Sequence, residues 1–223
     1  MRENDSAGPQ HSYKKSPWGV GPMFPRFTEK NIGDDRLGQI IDSARLAPSE
    51  WNLQSKRWIV VRADAAKKQL ETATYLRVPL SSAPVIVICL ADTLAWKSAP
   101  QYFQAMVASR KISEEEGRES LRRLRDYYSS SPEVAWRTAL ADAFLSVGQI
   151  IRGAADYGVS AYCIAEFDEA QIKTHFHVPD HFLVAALLPL GHHGESPEPP
   201  ASMLLLRSVV YKEKFGEPLG PAL

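Results

Sequence analysis

The run Ala83-Pro-Val-Ile-Val-Ile-Cys-Leu-Ala91 constrains the architecture of this chain more than any other stretch. It is apolar at odd and even positions alike, so as a strand it has two faces to cover and belongs in the middle of a sheet. Trp58-Ile-Val-Val61 is β-branched and aromatic and reads as a second buried strand. Phe182 to Leu190 is the longest apolar run, strand-sized and too short to span a membrane. Ala161 to Ile164 supplies a further strand.

Helix signals fall between the strands. Asp34 or Asp35 can cap a helix whose apolar positions Leu37, Ile40, Ile41 and Ala44 share one face. Pro48 stops it at Ala47, because proline disfavours helical dihedrals in the residue before it. Asp64 opens a helix from Ala65 to Thr74, and another runs from Asp168 to about His175. From Pro132 or Glu133 a long helix extends to Tyr157, with Gly158 as its stop. Its stripe is Leu140, Ala143, Phe144, Val147, Ile150, Ile151 and Ala154, and Gly148 and Gly153 thin it for close approach. The chain contains no internal repeat.

The bulk numbers exclude several classes. At 223 residues the expectation is one sizeable domain. Lys plus Arg (26) and Asp plus Glu (26) cancel to zero net charge, which argues against nucleic acid or an anionic membrane as partner. The N-terminal Met-Arg-Glu-Asn-Asp-Ser is polar, unlike a secretory leader. The two cysteines, Cys89 and Cys163, each sit in an apolar run and read as buried structural thiols, which suits a reducing cytoplasm. His175, His177 and His181 lack a Cys or carboxylate cluster, so no metal site is expected. Ser49 has no Gly-x-Ser-x-Gly context, and the glycines form no phosphate loop.

Between the first helix and the Trp58 strand lies Ala47-Pro-Ser-Glu-Trp-Asn-Leu-Gln54. Ser49, Asn52 and Gln54 carry side chains that both donate and accept hydrogen bonds. Held in a tight loop they can read the edge of a flat heterocycle; the bland alternative is a polar connection with a helix stop. Residues 93–133 have a different character, with Trp96, Tyr102, Phe103, Met106, Tyr127 and Tyr128 interleaved with charge. Ser113 followed by Glu116 is a capping box. The segment reads as a helical excursion from the core, either plain core helices or a substrate lid.

The pattern A-P-S-x-x-N-x-Q, followed by Arg57, Trp58 and a Val-Val pair, resembles the flavin-contacting loop of the nitroreductase family of FMN-dependent oxidoreductases. Asp142-Ala-Phe-Leu-Ser-Val-Gly-Gln149 with Ala154 to Ile164 resembles the family's long central helix and following strand. Pro179 and Val184 through Gly191 resemble its late strand. The resemblance covers roughly residues 26–192 and implies an α+β fold, a mixed sheet flanked by helices, in an intertwined homodimer with two FMN at the interface. Residues 26–194 would then be the domain, 1–25 an extended arm and 195–223 an extended tail. By carry-over, Pro48, Ser49 and Asn52 would contact the partner's FMN, with Gln54 supporting the loop. Cys163, Ile164, Ala165 and Glu166 would pass its reactive edge, and Tyr102, Phe103, Tyr127 and Tyr128 would cover the ring. The implied activity is NAD(P)H-driven ping-pong reduction of nitroaromatics, quinones or related small acceptors, with the hydride chemistry belonging to the cofactor.

The chain also departs from the family. Gly21-Pro-Met-Phe-Pro25 stands where the phosphate signature Arg-x-Ser-x-Arg is expected, and the C-terminal Arg position falls near Met203. Arg26 and Arg207 are the nearest cations to those positions. Ser55-Lys56 replaces the usual Pro-Trp after Gln54, and Ala165-Glu166 stands where Glu-Gly is common. An alternative therefore stays open: the same fold without FMN, acting as a binding or regulatory protein.

Overall fold

The computed structural model describes residues 27–75, 80–193 and 204–217; the arm expected over residues 1–25 lies outside them, as does much of the tail expected over 195–223. Among these residues four strands form one sheet: β1 (Lys56–Val61), β2 (Val85–Asp92), β3 (Ser160–Ala161) and β4 (Phe182–Gly191). Their order is β1-β2-β4-β3. Every pairing among them is antiparallel, so the parallel strand of a mixed sheet is not among the described strands; the α+β class stands. Six α-helices among the described residues accompany the sheet: α1 (Asp34–Arg45), α2 (Asp64–Ala73), α3 (Ala99–Ala108), α4 (Glu114–Ser129), α5 (Pro132–Asp156) and α6 (Glu169–Phe176).

β2 holds the inner position its sequence requires, and its alternation builds two cores. Val85, Val87, Cys89 and Ala91 face α1 and α5, joining Leu37, Ile40, Ala143, Val147, Ile150 and Ala154. Ile86, Ile88 and Leu90 face the other side with Leu70, Ile172 and Leu187. The register slips between Cys89, paired with Ala186, and Leu90, paired with Val184, leaving Ala185 as the extra residue of a bulge.

Several sequence expectations are corrected. α1 ends at Arg45 rather than Ala47, and its N-cap is Gly33 with no side-chain cap; Asp34 and Asp35 lie inside the first turn, complementing the helix dipole. β1 is the edge of the described sheet and only half buried, with Arg57 and Val60 exposed on opposite faces. The strand expected over Ala161–Ile164 shortens to β3 plus one bridge, Ile164 to Leu187. Cys163 is exposed, unlike buried Cys89. On α5, Phe144 is 43% exposed; one residue along a helix turns the side chain about 100°, away from the face that buries Ala143.

Other expectations hold. α5 starts at Pro132, and Gly158 ends its last turn with φ +67°. α4 begins at the Ser113 capping box, with Glu116 answering the Ser113 N–H. Of the two glycines expected to thin α5, Gly153 is the close-approach point, since a Cβ there would stand 2.6 Å from Ser43 Oγ of α1; at Gly148 a Cβ would meet nothing within 4 Å in the single chain. No helix among the described residues is long and apolar enough to cross a membrane.

Candidate flavin-facing site

Residues 46–55 form a tight loop between α1 and β1 in which three residues adopt left-handed dihedrals: Trp51 (φ 52°), Asn52 (φ 56°) and Gln54 (φ 51°). Such a conformation costs a side-chain-bearing residue of order 1 kcal/mol or more and persists only where the surroundings enforce it. The enforcement is visible. Leu53 is buried against Ala95, Ala99, Leu124 and Tyr128. Ser49 Oγ accepts the Gln54 N–H at 3.0 Å, and the Arg57 guanidinium donates to the Gln54 carbonyl at 2.7 Å. With the backbone so held, Pro48, Asn52 and Gln54 are exposed and Ser49 half-buried. Asn52 and Gln54 therefore offer amide donors and acceptors to an outside ligand.

Beneath the loop lies a polar cluster that the sequence reading did not single out. Asp142, in the middle of α5 and 3% exposed, accepts the Glu50 N–H at 3.1 Å and the Ser55 hydroxyl proton at 2.8 Å. Buried Lys56 donates to the Ala47 carbonyl. Burial pushes the Asp142 carboxyl above its ordinary range, while Ser55, the Glu50 N–H and Lys56 pull it back. Burial likewise lowers the Lys56 ammonium, with Asp142 opposing. The sequence did carry a signal: Asp142 lies at four-residue spacing from Thr138 and Ser146, and all three are buried, so a carboxylate sits in phase with the buried face of a helix.

The second candidate segment, Cys163 to Glu166, alternates. Ile164 is buried and its N–H and carbonyl pair with Leu187; Cys163, Ala165 and Glu166 are exposed. Antiparallel geometry thus aims the Cys163 and Ala165 N–H groups away from β4, toward the open side. The two segments do not meet in one cluster: Leu53 belongs to the core of the excursion, Ile164 to the core under α2 and α6.

The excursion proves to be two helices, α3 and α4, folded back on α5. Trp96 stacks on Tyr128 at 6.0 Å between centroids, and Tyr128 is 5% exposed. Tyr128 is thus a core residue of the excursion rather than part of an outer wall, because Ala135 of α5 packs against the same cluster. Phe103 sits edge-on to Trp51 at 6.3 Å, bringing α3 to the loop. Tyr102 is half-buried and Tyr127 is 38% exposed.

The chain matches the model of the Nitroreductase family over residues 26–192. It belongs to the nitroreductase family. It is 25% identical over 189 residues to a Thermus thermophilus protein named NADH dehydrogenase, covering 84% of this chain and 90% of that one. It is 24% identical over 164 residues to Bacillus subtilis YodC, whose name assigns it as an NAD(P)H nitroreductase, covering 74% and 81%. A structure from Exiguobacterium sibiricum, solved in complex with FMN, superimposes with a TM-score of 0.75 at 19% identity, covering 87% of this chain and 94% of that one. The chain is accordingly an oxidoreductase of the nitroreductase type.

The exposed amides of Asn52 and Gln54 stand on the 46–55 loop with Trp51, which is 39% exposed, and are donor and acceptor groups of the kind that suit the edge of a flat heterocycle. Arg207 is exposed in the short turn Leu206–Ser208. Arg26 lies outside the described residues.

Proposed function

We propose that this chain is an FMN-dependent oxidoreductase that takes electrons from NAD(P)H and reduces nitroaromatics, quinones or related small acceptors by a ping-pong exchange. It works as a cytoplasmic, intertwined homodimer with the flavin between the two copies. The observation that carries the reading is the rigid loop from Ser49 to Gln54, which holds three residues left-handed and presents Asn52 and Gln54 outward. When bound, FMN supplies the hydride chemistry. Pro48, Ser49 and Asn52 contact the ring or ribityl chain of the flavin shared with the partner, and Gln54 supports them. Cys163 to Glu166 runs along the reactive edge, where the outward N–H groups of Cys163 and Ala165 donate to the ring. Tyr102, Phe103 and Tyr127 cover the ring face and exclude water. No side chain is assigned as acid or base.

Two features support a site shared between copies. The loop and the Cys163 segment occupy separate clusters of one chain. Phe144 and Leu145, successive residues of α5, leave an apolar strip uncovered in the single chain, at 43% and 49% exposure.

Arg26 and Arg207 neutralise the phosphate in this reading, since burying a phosphate without cations costs several kcal/mol. The test is the affinity of wild type, Arg26→Ala and Arg207→Ala for FMN and for riboflavin. Each substitution is expected to weaken FMN about ten- to a hundredfold and riboflavin far less. The altered phosphate signature favours a second reading, a flavin-free binding or regulatory protein on the same fold. A purified dimer without flavin absorbance, and with affinity for neither flavin, would establish it.

A further inference from the structure

We propose that Asp142 is a positioning residue that holds the flavin-facing loop in its strained conformation before any flavin arrives, and that Ser55 and Lys56 complete this clamp. The proposal rests on the flavin reading above for what the loop faces, and on the described contacts for the clamp itself.

The loop has two feet and one crown. Lys56 ties the feet together by donating to the Ala47 carbonyl across the stem. The crown is held from below by one carboxylate, whose two oxygens take one donor from each side of the turn: Glu50 N–H on Oδ1 and Ser55 Oγ–H on Oδ2. Between those two anchors lie Trp51, Asn52 and Gln54, the left-handed residues. A bidentate acceptor at both ends of a strained turn fixes its span, and with it the direction of Asn52 and Gln54. The clamp depends on the residues at which this chain departs from the family loop. A proline at position 55 has no hydroxyl to give Asp142, and a tryptophan at 56 has no ammonium to reach Ala47. The carboxylate, Ser55 and Lys56 are each under 5% exposed, at 3%, 3% and 4%, so the Ser55 and Lys56 bonds are buried, and removing the Asp142 carboxylate leaves buried polar atoms unsatisfied. The loop side chains that face the ligand are thereby set by residues that do not touch it.

The experiment measures FMN and riboflavin affinity together with amide hydrogen exchange of the flavin-free protein, for wild type, Asp142→Ala, Asp142→Asn, Ser55→Ala and the Asp142→Ala/Ser55→Ala double variant. Asp142→Ala is expected to weaken both flavins alike, about ten- to a hundredfold, and to speed exchange at residues 49–55 in the flavin-free protein. Asp142→Asn is expected to stay within about threefold of wild type, since its amide oxygen still accepts the Glu50 N–H and its NH2 can donate to the Ser55 hydroxyl. The double variant should bind no more weakly than Asp142→Ala, because both substitutions break one network. Wild-type affinity and wild-type exchange in Asp142→Ala overturn the proposal, as does selective loss of FMN over riboflavin, which would place Asp142 at the phosphate. If Asp142→Ala does not fold, Ser55→Ala decides: unchanged affinity and unchanged loop exchange overturn the clamp. If wild type binds neither flavin, the functional reading fails, and loop exchange in the flavin-free variants still decides for or against the clamp.

Discussion

Gly191 makes the space that Phe27 fills. A Cβ on Gly191 would stand 2.4 Å from Cδ1, 2.6 Å from Cγ and 2.9 Å from Cβ of Phe27, closer than real Cβ contacts come. The Phe27 ring then stacks on His193 at 5.0 Å and meets Tyr162 edge-on at 5.7 Å. Next to it the Thr28 N–H donates to the His192 carbonyl at 2.7 Å. The chain therefore enters the domain pinned to the end of β4.

Gly191→Ala is expected to displace Phe27 from this seat. Overpacking of this kind costs about 1–3 kcal/mol, and in a chain of this size each kcal/mol lowers the melting temperature by roughly 2–4 °C. A drop of roughly 2–12 °C by calorimetry or circular dichroism is the expected result; an unchanged melting temperature would mean that the ring moves aside without cost.

The uncovered strip of α5 predicts a homodimer. Light scattering at micromolar concentration should return twice the 24.8 kDa of one chain. Phe144→Glu with Leu145→Glu should yield monomer, because two carboxylates cannot be buried unpaired in an apolar interface. A wild-type monomer would sink the shared-site reading.

Tyr102 and Phe103 are expected to govern acceptor choice rather than folding, since both are only half-buried on α3. Tyr102→Ala and Phe103→Ala should raise KM for aromatic acceptors several-fold and leave the melting temperature within a few degrees. Tyr128→Ala should instead destabilise the excursion, by about 3 kcal/mol or more, because its ring is core. Equal effects at all three positions would remove the distinction between wall and core.

The two thiols should differ in reactivity. Cys163 reaches the surface and Cys89 is buried; full burial pushes the Cys89 thiol far up, and partial desolvation by its neighbours raises the Cys163 thiol as well. The thiolate is the reactive form, so the sign is fixed: a raised value leaves little thiolate at neutral pH, and reaction speeds up as the pH rises into the alkaline range. A disulfide reagent should modify one equivalent slowly at pH 7.5, faster at alkaline pH, and the second only on unfolding. Rapid labelling of both thiols at neutral pH would contradict this placement.

Much of the local architecture follows from the sequence because its causes are local. The two-faced apolar run demanded an inner strand, and β2 is one. Ser113 with Glu116 announced the start of α4, and Pro132 and Gly158 bracketed α5, since capping and φ limits act within a few residues. The Ser49–Gln54 loop was visible as a motif, and its family membership with it. What tertiary structure alone decided are relations across long separations. β1 became an edge because no strand pairs on its far side among those described. Tyr128 turned inward because α4 folds back onto Ala135 and meets Trp96. Asp142 acquired its place beneath Glu50 and Ser55 only when α5 crossed under a loop 92 and 87 residues earlier in the chain. Local pattern sets which segments form helix or strand; packing sets which polar group ends up buried, and a buried group must find its partner wherever the fold brings one.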